Sequence, residues 1–515
     1  MPPIETKEDV DVRPGPSIPI WLALVPIVLL IALLWINVRF YHSDASYGPN
    51  QIVLVLAAAT AALIGRFYGV SFATTNRGMI RSIGSAVNAM LILLLIGGLT
   101  GAWLLSGVVP AMIYYGLQVL SPGTFLVAAV IISAVVSLAT GSSWTTVATV
   151  GVALLGIGKA LGLSEPMIAG AIISGAYFGD KISPLSDTTN LASAVAGVEL
   201  FTHIRYMLWT TTPSLLITLG IFWFLGSKPE AEDIGSQAAS LSALIDENFN
   251  ISPWLFAIPG LVIAMVVMRT NAIVALFVAM LAGVVIAVAF QPGVIKNVAD
   301  VIVSEEVDKD PDKRLLSADD SYAKRAYVVG CNAITVNMSV PVNNDAAQEL
   351  FESRGMKGML NTIWLILAAM CFGGAMEATG LLACITAPLI RLAKSTGSLI
   401  ATTAGTCLFV NVSASDQYLA IVVPGRMFKK AFSDRKLAPQ NLSRTLEDSG
   451  TVTSVLIPWN TCGAAQQGAL KVDVLAFAPY CFFCWISPLM TILYGVLGLA
   501  IAKSTPSSDE SPEQS

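Results

Sequence analysis

The stretch Gly175–Asn190, GAYFGDKISPLSDTTN, decides how the rest of the chain is read. Asp180, Lys181 and Asp187 stand between two apolar runs, Pro166 to Ile173 before and Leu191 to Val198 after. A charge near a bilayer centre costs at least about 2.5–3.5 kcal/mol on insertion scales, so such groups face a polar cavity and carry function. Pro184 removes a backbone donor and clashes with the preceding turn, which breaks a helix here. The freed carbonyls and amides are tolerated at membrane depth only against protein or a water-filled site. The stretch therefore predicts a broken membrane helix wrapped around an ion-binding site.

Composition agrees with a membrane setting. The chain has 515 residues, 55% hydrophobic and 12% charged, with a mean hydropathy of +0.71. Soluble domains carry about 25% charged residues. The net charge of −5 is spread over loops and tails and gives no basic face for nucleic acid. With two histidines in the chain, a histidine metal centre is not expected, and no cofactor is. The close pair Cys481 and Cys484 lies in an apolar run, where free cysteine packs as a small hydrophobe. No HExxH or GxSxG string occurs, so an enzyme is not expected.

Working outward, the expected fold is an all-α polytopic membrane protein of about 11–13 helices and half-helices. Residues 1–17 read as a disordered cytoplasmic tail. Residues 18–226 form a first transmembrane repeat, with spans near 18–40, 51–63, 87–105 and 205–225. An acidic loop, 227–252, separates the halves. Residues 253–290 hold two helices cut at Arg269, Thr270 and Asn271, and 291–358 form a charged extramembrane connection, partly amphipathic helix. A second repeat occupies 359–502, and 503–515 form a disordered tail. Arg66, Arg77 and Arg81 lie in a segment without acids, read as a cytoplasmic loop. That places the N-terminus inside.

The two halves share a pattern. A polar tip at Ser142 and Ser143 precedes Pro184; a second, at Ser415 and Asp416, precedes Pro458 at the same spacing. Leu185-Ser186-Asp187-Thr188 follows one proline and Trp459-Asn460-Thr461-Cys462 the other. Matched broken segments in two halves point to a transporter site between repeats. Converging carbonyls, hydroxyls and carboxylates suit a hard cation. Asp187, beside Ser186, Thr188 and Asn190, is the first choice for cation ligand and proton acceptor, although it also suits a helix cap. Asp180 is either a second carboxylate or the partner of Lys181. Glu377, Asp416, Asp448, Asn460 and Thr461 complete the candidates, with Na⁺ expected at Asp187, Asp180, Asn460 and Thr461. Glu447 and Asp448 follow Ser443, which reads as an N-cap, so a helix-dipole role competes with a site role.

GAYFGDKISPLSDTTNLA (Gly175 to Ala192), FGGAMEATGLL (Phe372 to Leu382), DQYLAIVVPGRMF (Asp416 to Phe428) and LAPQNLSRTLEDSGTVTSVLIPWNTCGA (Leu437 to Ala464) resemble the signatures of the NhaC family of sodium/proton antiporters. Thr145 stands where that family is expected to carry glycine. The resemblance implies a multi-pass inner-membrane secondary transporter with two inverted-topology repeats, re-entrant hairpins and broken helices. It also implies exchange of Na⁺ for H⁺ in contact with the lipid bilayer. Some relatives couple Na⁺ or H⁺ to a small organic acid, as in malate/lactate exchange, or to an amino acid, which is the alternative. A homodimer is compatible with it.

Overall fold

The computed structural model describes residues 18–41, 45, 47–227, 234–268, 270–305, 314–344 and 348–504. The expectations for residues 1–17, Arg269 and the end of the C-terminal tail fall outside them. Nearly all of the described chain is helical; a two-stranded antiparallel ribbon pairs Met338 with Ser353 and Ser339 with Glu352. Among the described residues, eight helices are long and apolar enough to cross a membrane, or up to ten if each of two bent pairs is one span. The chain is therefore an all-α polytopic membrane protein. Its outer helices turn Trp21, Trp35, Phe67, Trp209 and Trp254 outward, as a lipid solvent permits.

Hairpins and broken helices alternate. The first hairpin descends through Pro122–Thr140, turns at Gly141, and returns through Ser143–Thr146, a π turn over Val147–Gly151, and Val152–Ala160. The first broken helix has a long arm, Glu165–Ile182, and a short arm, Asp187–Ala196. The second hairpin joins Thr396–Ala414 to Gln417–Asp434. The second broken helix runs through Pro439–Leu446, a π turn over Glu447–Thr451 and a 3₁₀ turn, Ser454–Leu456; its short arm is Thr461–Leu470.

The repeat read from spacing is present in the backbone. Gly141 and Ser415 are both left-handed at the hairpin tips, φ 67° and 60°. Ser186 and Asn460 cap the two short arms, which end in left-handed Gly197 and Lys471. Glu199 and Asp473 cap the helices that follow. One constant separation in sequence relates all four pairs, and it also relates Pro184 to Pro458. The same shift carries a hydrogen bond across: Ser137 Oγ donates to the Ala176 carbonyl at 2.6 Å, and Asn411 Nδ2 to the Gly450 carbonyl at 2.7 Å.

Close packing of the first hairpin on the long arm needs glycine. A Cβ on Gly175 would lie 2.1 Å from the Val130 carbonyl oxygen, and one on Gly179 2.3 Å from that of Ala134. Small residues four apart let two membrane helices approach to backbone contact. Cross-packing then interlocks the halves: the arm Gln417–Asp434 lies on the first short arm, and the second short arm lies on the π turn of the first hairpin.

Two expectations change. Arg77 and Arg81 are not in a loop but in the opening turns of one helix, Phe72–Leu105. At 1.5 Å per residue it spans about 50 Å, more than a hydrocarbon core of about 30 Å, so its polar start extends past the lipid. The acidic segment after the first half contains a helix, Ile234–Asn248, on an amphipathic pattern that loop reading overlooks. In the connection 291–358 the amphipathic helix is Tyr322–Thr335, which buries Val329, Gly330 and Ala333 and packs against Phe72–Leu105.

Candidate functional site

The site lies where each hairpin tip meets the break of its own repeat. In the first repeat, the tip turns left-handed at Gly141, and Ser142 caps the returning arm by accepting from the Thr145 amide at 3.2 Å. That turn aims Ser143 at the end of the long arm. The Ser143 amide and hydroxyl both donate to Asp180 Oδ2, at 2.9 and 2.7 Å. Asp180 is 6% exposed, and its other oxygen, Oδ1, is buried without a partner. Beyond Pro184, Ser186 caps the short arm, its hydroxyl lies 3.1 Å from that of Thr188, and Thr189 donates to the Lys181 carbonyl at 2.9 Å.

The second repeat supplies the next carboxylate. Thr188 Oγ1 donates to Glu447 Oε1 at 3.0 Å, while Glu447 Oε2 is buried without a partner. Ser449 and Thr451, on the same π turn, also keep unpartnered hydroxyls. Buried polar groups are normally satisfied. Here two carboxylate oxygens and two hydroxyls are left with unused acceptor capacity, and oxygen of this kind is what a hard monovalent cation binds. The π turn is typical of functional positions.

Asp448, the next residue, does something different. It accepts from Lys181 Nζ on one oxygen and from Thr210 Oγ1, at 2.8 Å, on the other; Ser487 Oγ touches both members of the pair at 2.9 and 3.2 Å. Lys181 and Asp448 are both fully buried, and the ammonium sits 5.6 Å above the Phe483 ring. The lysine thus pairs across the two repeats and not with Asp180 beside it. Ser443 is not a helix cap: the helix begins at Pro439, and the Ser443 hydroxyl meets His203 Nδ1 at 2.7 Å. Glu447 and Asp448 are therefore mid-helix and enclosed, which removes the first-turn dipole explanation.

The structure separates the remaining candidates. Asn460 donates to the Asn411 carbonyl and side-chain oxygen, both at 3.1 Å, and its own oxygen caps the second short arm through the Cys462 amide at 3.0 Å. Thr461 donates its amide to the Ser415 carbonyl at 3.0 Å, which ties the second tip to the second break. Asp416 caps the returning hairpin arm through the Leu419 amide at 2.8 Å. Ser415 keeps a buried, unpartnered hydroxyl. Glu377 is exposed, facing Arg81 and Arg426. Asn190 is exposed and folds back on the Pro184 and Ser186 carbonyls. Asp187 is exposed as well, accepting from the Thr188 amide at 2.9 Å and from the Tyr418 hydroxyl at 2.5 Å. Asp187 thus stands at the rim, while Asp180 and Glu447 are enclosed. Sequence reasoning passed over Tyr418; its place one step into the arm after Asp416-Gln417 was the available signal.

Enclosed carboxylates at the meeting of two hairpin tips and two broken helices, in an apolar multi-span bundle, are the construction of a secondary membrane transporter. The chain belongs to the Na⁺/H⁺ antiporter family, matching it over residues 175–303 and 316–499. It is 37% identical over 453 residues to the Na(+)/H(+) antiporter NhaC of Alkalihalophilus pseudofirmus, covering 88% of this chain and 91% of that one. It is 33% identical over 447 residues to the Na(+)/H(+) antiporter NhaC of Bacillus subtilis, covering 86% and 92%. A Malate-2H(+)/Na(+)-lactate antiporter of Bacillus subtilis is 31% identical over 451 residues, covering 87% and 90%.

Proposed function

We propose that this chain exchanges Na⁺ for H⁺ across the cytoplasmic membrane, the two ions competing for Asp180 and Glu447. One observation carries the assignment: each acid is buried with one oxygen held by a neighbouring hydroxyl and the other unpartnered. A bare carboxylate in such a place is costly, so a positive charge accompanies it. A proton neutralises it covalently; Na⁺ neutralises it through coordination, with the Ser186, Thr188 and Thr451 hydroxyls completing the oxygen shell. One site that holds either ion, never both, couples the two fluxes. Asp187 is the outer carboxylate of this path, where a hydrated cation first exchanges water for protein oxygen. Asn460 and Thr461 hold the second break in place beside the second tip. The N-terminus is assigned to the cytoplasm.

The test uses purified chain in proteoliposomes with a preset pH gradient and an internal pH dye. Addition of Na⁺ alone collapses the gradient in wild type, and Asp180→Asn abolishes the response while the protein still purifies as a single species. A gradient that collapses only when an organic acid or amino acid accompanies Na⁺ assigns the chain to the organic-substrate alternative. Retained Na⁺-driven flux in Asp180→Asn removes that residue from the ion site.

A further inference from the structure

The pseudo-symmetry that relates the two tips assigns each of them an aromatic side chain. The shift that takes Gly141 to Ser415 and Ser142 to Asp416 takes Trp144 to Tyr418. Each aromatic opens a returning hairpin arm, and each arm packs on the short arm of the other repeat. Gln417–Asp434 lies on Asp187–Ala196, and Ser143–Thr146 lies on Thr461–Leu470. On the Tyr418 side the contact is explicit. The phenol donates to Asp187 Oδ2 at 2.5 Å, a bond between residues 231 apart in sequence. The other Asp187 oxygen is turned inward on its own helix, to the Thr188 amide. Both carboxylate oxygens are thus occupied by donors of the protein, while the carboxylate itself stands exposed at the rim of the first break.

We propose that Tyr418 is a gating residue: its hydroxyl latches Asp187 and competes with the incoming cation for that carboxylate, so the bond must open for each ion that passes the first break. This rests on the exchange reading above and extends it to a residue that need not ligand the ion. Geometry supports competition in place of shared coordination. A phenol that donates its only proton to the carboxylate stabilises the anion without a cation, which is the role Na⁺ would otherwise fill. The bond also fastens the tip of the second hairpin to the short arm of the first broken helix, so it holds one face of the entrance closed. Tyr418 acts through Asp187 and is a positioning residue, not an ion ligand.

The experiment titrates Na⁺ against wild type and Tyr418→Phe in the proteoliposome assay at one fixed pH, reading K0.5 and the maximal rate separately. Tyr418→Phe keeps the ring and removes the latch. K0.5 for Na⁺ is expected to fall by about threefold to tenfold, the low end for a hydrogen bond to a charged group because the rim is open to water. The maximal rate is expected to stay within about twofold on the same footing, because no enclosed ligand is touched. In the double variant Tyr418→Phe, Asp187→Asn, K0.5 equals that of Asp187→Asn alone, since the latch has nothing left to hold. An unchanged or raised K0.5 in Tyr418→Phe overturns the proposal, as does a further drop in the double variant. If Tyr418→Phe purifies poorly, Tyr418→Leu is judged by the same K0.5 criterion. Wild type lacking Na⁺-driven proton flux would overturn the exchange reading; intact wild-type exchange with an unmoved Tyr418→Phe overturns the latch alone.

Discussion

Replacing Lys181 by methionine tests the electrostatics of the enclosed site at its most exacting point. Wild type buries a full ion pair, both side chains at 0% exposure. Lys181→Met leaves Asp448 with two hydroxyl donors, Thr210 at 2.8 Å and Ser487 at 3.2 Å, and no compensating charge. Removing one member of a buried pair costs about 3–5 kcal/mol, because the survivor is stranded in a low-dielectric interior. Asp448→Leu strands the ammonium in turn, with Ser487 at 2.9 Å and the Phe483 face as its company. A cation over an aromatic face recovers about 2 kcal/mol at best when desolvated, so this variant also loses stability. The double variant Lys181→Met, Asp448→Leu removes both charges and is expected to recover part of the loss, since buried pairs exchanged for apolar groups are often neutral or stabilising by about 1–4 kcal/mol, while the larger leucine costs some of that gain. The assay is heat challenge of detergent-purified protein followed by size-exclusion recovery, for all four members of the cycle. If the double variant is as unstable as the worse single, or if Lys181→Met is as stable as wild type at neutral pH, the pair is not the closed electrostatic unit described here.

Two further outcomes follow from packing. Gly175→Val places side-chain atoms against the Val130 carbonyl and is expected to cost about 1–3 kcal/mol or more in heat challenge, with loss of exchange. Gly220→Ala, with nothing within 4 Å of the added carbon, is the control and leaves both unchanged or slightly improved. Near the C-terminus, Tyr206 donates to Asn441 Oδ1 at 2.6 Å and accepts from the Ala502 amide at 3.0 Å, while Arg444 Nη1 donates to the Ala500 carbonyl at 3.0 Å. Tyr206→Phe removes the phenol's bonds, but the Ala502 amide keeps Asn441 Oδ1 at 3.2 Å and the Ala500 carbonyl keeps Arg444, so the loss is about 0.5–1.5 kcal/mol. Limited proteolysis is expected to cut the segment after Leu499 sooner in that variant; equal cutting rates would show that the strap is held by other contacts.

Much of this was legible in the sequence, for identifiable reasons. Pro184 and Pro458 cannot continue a helix, so the breaks and their common register were readable from two residues and a spacing. The tips were readable because Gly141-Ser142-Ser143 and Ser415-Asp416 are small, polar interruptions between apolar runs. What was not readable is which acid faces which partner. Lys181 and Asp448 lie 267 residues apart, and Ser143 and Asp180 37 apart, so neither contact leaves a local signature. Local cues even pointed the other way: Asp187, flanked by hydroxyls, is at the rim, and Ser443, resembling a cap, lies inside a helix. Arg77 and Arg81 misled for another reason, since a polar stretch at the start of a long helix looks the same as a loop until its length is known.

The closed Lys181–Asp448 pair has a consequence for how the cycle meets the membrane voltage. A unit charge carried through 100 mV exchanges about 2.3 kcal/mol with the field. The pair is neutral as a unit and contributes nothing to that work, wherever the bundle moves. If Asp180 and Glu447 hold the exchanged ions as proposed, sensitivity to voltage falls to them and to whatever balances them on each leg, so the empty and loaded journeys need not feel the same pull.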